Sequence, residues 1–161
     1  NKLITPEFGP VVRLAKVITD LPMVTDKPIS FGLLEFCKVC KICAEACPAK
    51  AISFKDEPDF EVRGLWNNPG HQAWFEDASA CLSYWLSSAS YCSICLAVCP
   101  WTKKNNLFHS LVKASIAKMP FLDRFCIFMD KVLGYGKRKD PAKWWHLDLP
   151  EYGINTGRGK E

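Results

Sequence analysis

Seven cysteines fall in two tight groups, each closing in Cys-Pro, and this spacing constrains the chain more than any other feature. The first group is Cys37, Cys40, Cys43 and Cys47 before Pro48, a C-x2-C-x2-C-x3-C-P run. Three thiolates this close in sequence can wrap one iron–sulfur cubane, while the fourth is carried toward a second cubane. The second group, Cys92, Cys95 and Cys99 before Pro100, lacks a nearby first cysteine, and Cys81, eleven residues upstream, supplies it. The count then closes at two [4Fe–4S] clusters with one of the nine cysteines left over. Cys37, Cys40, Cys43 and Cys99 are expected on one cluster, and Cys47, Cys81, Cys92 and Cys95 on the other.

Other readings of the cysteines fit less well. A disulfide scaffold spreads its cysteines to staple loops, whereas these are bunched as around a metal. Zinc can also take four thiolates, but its ribbon sites favour widely separated C-x2-C pairs. Cys126 lies on an apolar helical stripe and reads as a small buried hydrophobe. His71, His109 and His146 are scattered, without a partner at ligand spacing.

Around the cysteines the chain divides into three stretches. In residues 1–30, Val11 to Ile18 is rich in β-branched side chains between Gly9-Pro10 and Pro22, which predicts a strand. One strand cannot bury itself, so its sheet is expected outside this chain. Residues 31–105 hold the cysteine groups, with a further short strand predicted at Ala51–Phe54. Residues 106–161 are expected to form a helical extension and a tail. Leu107, Leu111, Ile116 and Met119 follow helical spacing, with Asn105 or Asn106 as the cap. Pro120 interrupts, and Phe121, Phe125, Met129 and Leu133 form a second stripe ending at Gly134. The tail, with Trp144, Trp145 and Tyr152, is expected to wrap over a surface. The fold class is therefore α+β, a ferredoxin-like dicluster domain with a helical C-terminal extension.

The net charge of +4 is mild, and the dense basic runs are short, so nucleic acid is not an expected partner. No apolar stretch approaches the roughly 18 to 20 residues that span a bilayer. The chain opens at Asn1 without the pattern of a targeting signal, and reads as a processed or partial chain.

The flanks of the cysteine groups are more specific than the groups themselves. Ile4 to Pro10, Val12-Arg13-Leu14, Asp20-Leu21-Pro22, Lys27-Pro28-Ile29, Cys81 to Trp85, Tyr91-Cys92, Val98 to Trp101, Leu133 to Gly136 and Trp144-Trp145 to Ile154 resemble corrinoid-dependent reductive dehalogenases. The resemblance covers nearly the whole chain. It implies the C-terminal part of a longer enzyme, with residues 1–30 as the edge of a nitroreductase-like corrinoid-binding domain that is mostly absent. The implied reaction is R–X + 2 e⁻ + H⁺ → R–H + X⁻, with electrons relayed through both clusters to the corrinoid. Arg13 matches an arginine beside the proton-donating tyrosine, and Leu14, Trp85 and Tyr91 match positions lining the pocket for the organohalide. The resemblance further implies twin-arginine export to the outer face of the cytoplasmic membrane, a small membrane anchor protein and a quinone-linked donor. Epoxyqueuosine reductase, with a corrinoid domain and a similar pair of cubanes, and a stand-alone dicluster ferredoxin are the alternatives.

Overall fold

A computed structural model describes residues 3–27, 29–103 and 106–137, together with residues 143 and 146. Six α-helices carry the architecture: α1 (Leu33–Cys40), α2 (Ile42–Glu45), α3 (Ala78–Ser88), α4 (Ile94–Ala97), α5 (Leu107–Lys118) and α6 (Asp123–Val132). Their ends follow local chemistry. Asp77 caps α3 by accepting from the Ala80 N–H at 2.9 Å, and Asn106 caps α5 by accepting from the His109 N–H at 2.8 Å. Pro120 opens a 3-10 turn between α5 and α6, since it has no N–H to continue the helix. α6 closes in a Schellman turn, with the Tyr135 N–H donating to the Asp130 carbonyl and the Gly134 N–H to that of Lys131. Gly134 takes the left-handed conformation this turn requires (φ 71°).

The core joins the cysteine-bearing segment to the helical extension. Phe36 of α1, Ile116 of α5, Ile127 of α6, Val98 and Trp101 form one buried cluster. Trp101 is its centre, 2% exposed, with edge-on contacts to Phe31 and Phe36 at 5.1 and 6.3 Å between ring centroids. The amino-terminal turn docks on the same tryptophan. Thr5 and Gly9 exchange backbone hydrogen bonds of 3.0 and 2.9 Å, and a Cβ at Gly9 would overlap the Trp101 carbonyl. Gly32 is constrained likewise: a Cβ there would stand 2.9 Å from the Ile116 carbonyl oxygen, so glycine lets α1 start against α5.

Neither predicted strand is assigned among the described residues. Val11–Ile18 has no ladder partner, and among the described residues there is no strand, only isolated bridges between Thr5 and Gly9 and between Asp59 and Ala73. β-branched residues report a fit to a pleated, half-buried surface, and a strand exists only where a neighbour completes it. Without one, Leu14 is 78% exposed and Ile18 fully so. Ala51–Phe54 fails for a different reason, because its backbone is satisfied by irregular partners. Ala51 accepts from the Asp77 N–H at 2.8 Å and donates to the Cys47 sulfur at 3.4 Å. The described chain is thus helical with irregular connections rather than α+β. The predicted helices of the extension are present, with Asn106 as cap. Asn105 and the aromatic tail at Trp144, Trp145 and Tyr152 lie outside the described residues.

Candidate metal centre

The two cysteine groups build the same local structure twice. In each, a C-x2-C pair brackets a residue in left-handed conformation, Lys41 (φ 53°) between Cys40 and Cys43 and Ser93 (φ 49°) between Cys92 and Cys95. Neither is glycine, and holding an L-residue there costs about 1 to 2 kcal/mol. A four-residue helix follows each time, α2 after Lys41 and α4 after Ser93, and the two helices pack against each other. Each short helix ends just before the last cysteine of its group, and Pro48 or Pro100 then redirects the chain.

This duplication surrounds two cavities. One, of about 120 Å³, is lined by the thiols of Cys37, Cys40, Cys43, Cys95 and Cys99. The other, of about 460 Å³, is lined by Cys47, Cys81, Cys92 and Cys95. Cys95 borders both, so the cavities are neighbours. Cys99 faces the cavity of the first group although it belongs to the second, and Cys47 is exchanged in the opposite sense.

The donor set fits iron–sulfur clusters. A zinc ion needs thiolates about 2.3 Å from a single point. Here five cysteines border one cavity instead. Backbone amides are aimed at the sulfurs, from Ile42 to Cys40, from Ala44 to Cys43, from Trp101 to Cys99 and from Ala51 to Cys47. Such N–H···S bonds favour thiolate and help set a cluster's potential. Burial works the other way: it pushes Cys37 up to about 11 and Cys40 and Cys99 up to about 12, with neighbouring thiols adding to the rise. Bare, these thiols hold their protons; bound iron would displace them and supply the missing positive charge.

Lys41 braces the first loop. Its ammonium reaches the Lys55 carbonyl, pairs with Asp56 at 3.5 Å and lies 5.9 Å from the Trp74 ring centroid. Trp74 in turn donates its indole N–H to the same carbonyl at 2.8 Å.

Of the other residues singled out in the sequence, Leu14 and Trp85 line the second cavity. Tyr91 does not line it but stacks edge-on against Trp85, 5.3 Å between centroids. Val12 joins Leu14 in the lining, while Arg13 between them is exposed and outside it. Cys126 packs at the border of the core, with its thiol beside Ser115, and lines neither thiol cavity. Cys126→Ala is therefore expected to keep both clusters and to cost roughly 0.5 to 2 kcal/mol, as a small core truncation does. Loss of a paramagnetic cluster signal in that variant would mark Cys126 as a ligand.

Sequence reasoning missed a buried charged pair. Asp130 is buried on the inner side of α6, and the Lys103 ammonium pairs with it. Asp130 sits among apolar stripe positions and Lys103 in a short basic run, so neither carried a signal of the other.

Comparison with known proteins agrees with the chemistry of the site. A family model for a 4Fe-4S double cluster binding domain matches residues 36–102. The chain is 46% identical over 153 residues to tetrachloroethene reductive dehalogenase of Sulfurospirillum multivorans, covering 95% of this chain and 30% of that protein. Epoxyqueuosine reductase of Atelocyanobacterium thalassa matches at 31% over 65% of the chain. The solved structure of the catabolic reductive dehalogenase NpRdhA superposes with a TM-score of 0.72 at 34% identity, over 85% of this chain and 19% of that one. A structure reported for B12-dependent reductive dehalogenation gives the same TM-score. The chain thus spans less than a third of the length of the relatives it matches.

Proposed function

We propose that the chain carries the iron–sulfur part of a reductive dehalogenase and relays electrons within an enzyme that replaces the halogen of an organohalide by hydrogen. The observation that carries this reading is the pair of adjacent thiol-lined cavities sharing Cys95. Cys37, Cys40, Cys43 and Cys99 would hold one cluster, and Cys47, Cys81, Cys92 and Cys95 the other. When bound, the clusters supply one-electron carriers, and a corrinoid held elsewhere in the full-length protein supplies carbon–halogen cleavage.

The chain's own residues would supply ligation, potential and exclusion of water. The amides of Ile42, Ala44, Ala51 and Trp101 offset thiolate charge. Trp101 and Phe36 seal the first site from the core side. Leu14 and Trp85, with Tyr91 packed on Trp85, would form part of an apolar wall toward the haloorganic. Arg13 would hold a phenolate and a departing halide by charge. A small membrane anchor protein, a quinone-linked donor and a site on the outer face of the cytoplasmic membrane belong to this reading on the strength of the resemblance. Among the described residues no helix is long and apolar enough to cross a membrane.

Anaerobic preparation of the chain is expected to yield about eight irons and about eight acid-labile sulfides, the content of two cubanes. Stoichiometric zinc without sulfide would sink the proposal. Its enzymatic half is tested by halide release from a chlorinated alkene by the full-length, corrinoid-loaded protein under a low-potential donor.

A further inference from the structure

The duplicated cysteine loops differ at one charged position. Each places a left-handed residue after a cysteine, followed by isoleucine and the next cysteine. The first loop reads Cys40-Lys41-Ile42-Cys43 and the second Cys92-Ser93-Ile94-Cys95. Lys41 lines the first thiol cavity, and Ser93 lines the second. Among the described residues Lys41 is the one cationic side chain bordering either cavity. Glu76 borders both, so it does not set them apart. The turn itself does not ask for lysine, since glycine or asparagine suits left-handed backbone better.

Covalent geometry keeps this charge close to the first site. An extended lysine side chain spans about 6 Å and one peptide unit about 3.8 Å, so the ammonium lies within about 10 Å of the Cys40 Cα. Its surroundings then hold it in place. The Lys41 side chain is 15% exposed, and its ammonium donates to the Lys55 carbonyl. It also lies 5.9 Å from the ring centroid of Trp74, which lines the same cavity. The Trp74 indole N–H donates to that same carbonyl at 2.8 Å, tying ring and ammonium to one anchor. Asp56, the acidic partner at 3.5 Å, has a side chain 86% exposed. Water screens that carboxylate more than it screens the ammonium.

We propose that Lys41 is a tuning charge that raises the reduction potential of the cluster on Cys37, Cys40, Cys43 and Cys99. This rests on the two-cluster reading above. Reduction adds negative charge to a cluster, and an ammonium fixed on the wall of its cavity stabilises the reduced form. The other cluster, with neutral Ser93 at the equivalent position, lacks this effect and serves as an internal reference.

The test is an EPR-monitored redox titration of the protein with both clusters assembled, with Cys40→Ser marking which signal belongs to the first site. Lys41→Asn removes the charge and suits the left-handed turn. It should lower the potential of the first cluster by a tenfold or larger change in the reduction equilibrium, about 59 mV for one electron. Lys41→Arg keeps the charge and should stay near wild type, and the second cluster should move in neither variant. A lysine that only braces the loop would give equal potentials in Lys41→Asn and Lys41→Arg. That outcome, at full cluster occupancy, overturns the tuning role and leaves the two-cluster reading standing. Should Lys41→Asn lose iron, Lys41→Gln, which keeps a donor for the Lys55 carbonyl, is measured against the same expectation. Loss of iron in both, with Lys41→Arg intact, would make the charge a requirement for assembly and overturn the tuning role as well. A wild-type protein that assembles no clusters overturns the two-cluster reading itself.

Discussion

Cys99→Ala is expected to damage the cluster held by Cys37, Cys40 and Cys43, and to spare the one beside its own sequence neighbours Cys92 and Cys95. Iron should fall from about eight per chain toward about four, with a three-iron remnant as the intermediate case. The cause is the path of the backbone. α4 carries the chain away from Cys95, and Pro100 redirects it so that Cys99 faces the cavity lined by the first group. The amide of Trp101, locked in the core, is already aimed at that sulfur. Cys47 makes the reciprocal crossing by way of α2 and Pro48, and Cys47→Ala should harm the other cluster. EPR of reduced Cys99→Ala, set beside Cys40→Ala and Cys92→Ala, decides the matter. If Cys99→Ala removes the signal that Cys92→Ala removes, the crossed arrangement is wrong.

The expectation of crossed ligands comes from the sequence alone, because its signal is local. A C-x2-C-x2-C loop puts three thiolates on one cubane, the turn that follows carries the next thiol toward the neighbouring one, and the duplicated Cys-Pro endings declare the same turn twice. The left-handed residues that make the loops were not legible, since Lys41 and Ser93 are not residues whose presence announces positive φ. Nor was the Lys103–Asp130 pair, which depends on how α6 docks across α1. The strand expected at Val11–Ile18 has its sheet placed outside this chain, so its pairing is not visible here. The side chains there are those of a strand, but pairing is a property of two segments, and the described chain offers no second one. Its Val11, Leu14, Val17 and Ile18 remain exposed, and Leu14 lines the second cavity.

That surface is where the largest functional effect is expected. In the full-length enzyme Arg13→Ala should lower halide release by roughly 10²-fold or more, the scale for losing one preorganised charge partner, with iron, sulfide and corrinoid contents unchanged. Val12 and Leu14 line the second thiol cavity, whereas Arg13 is exposed and outside that lining. A guanidinium there can meet a group brought by another part of the protein without disturbing the clusters. Arg13→Lys should restore only part of the rate, because an ammonium lacks the planar fork of donors that would hold a phenolate and a halide together. The 161-residue chain alone should accept and pass electrons yet release no halide, since bond cleavage is assigned to a corrinoid held outside it. Near-normal halide release by full-length Arg13→Ala, at full cofactor occupancy, removes Arg13 from the site. Halide release by the isolated chain without corrinoid would overturn the division of labour itself, leaving the clusters as the site of chemistry rather than the route to it.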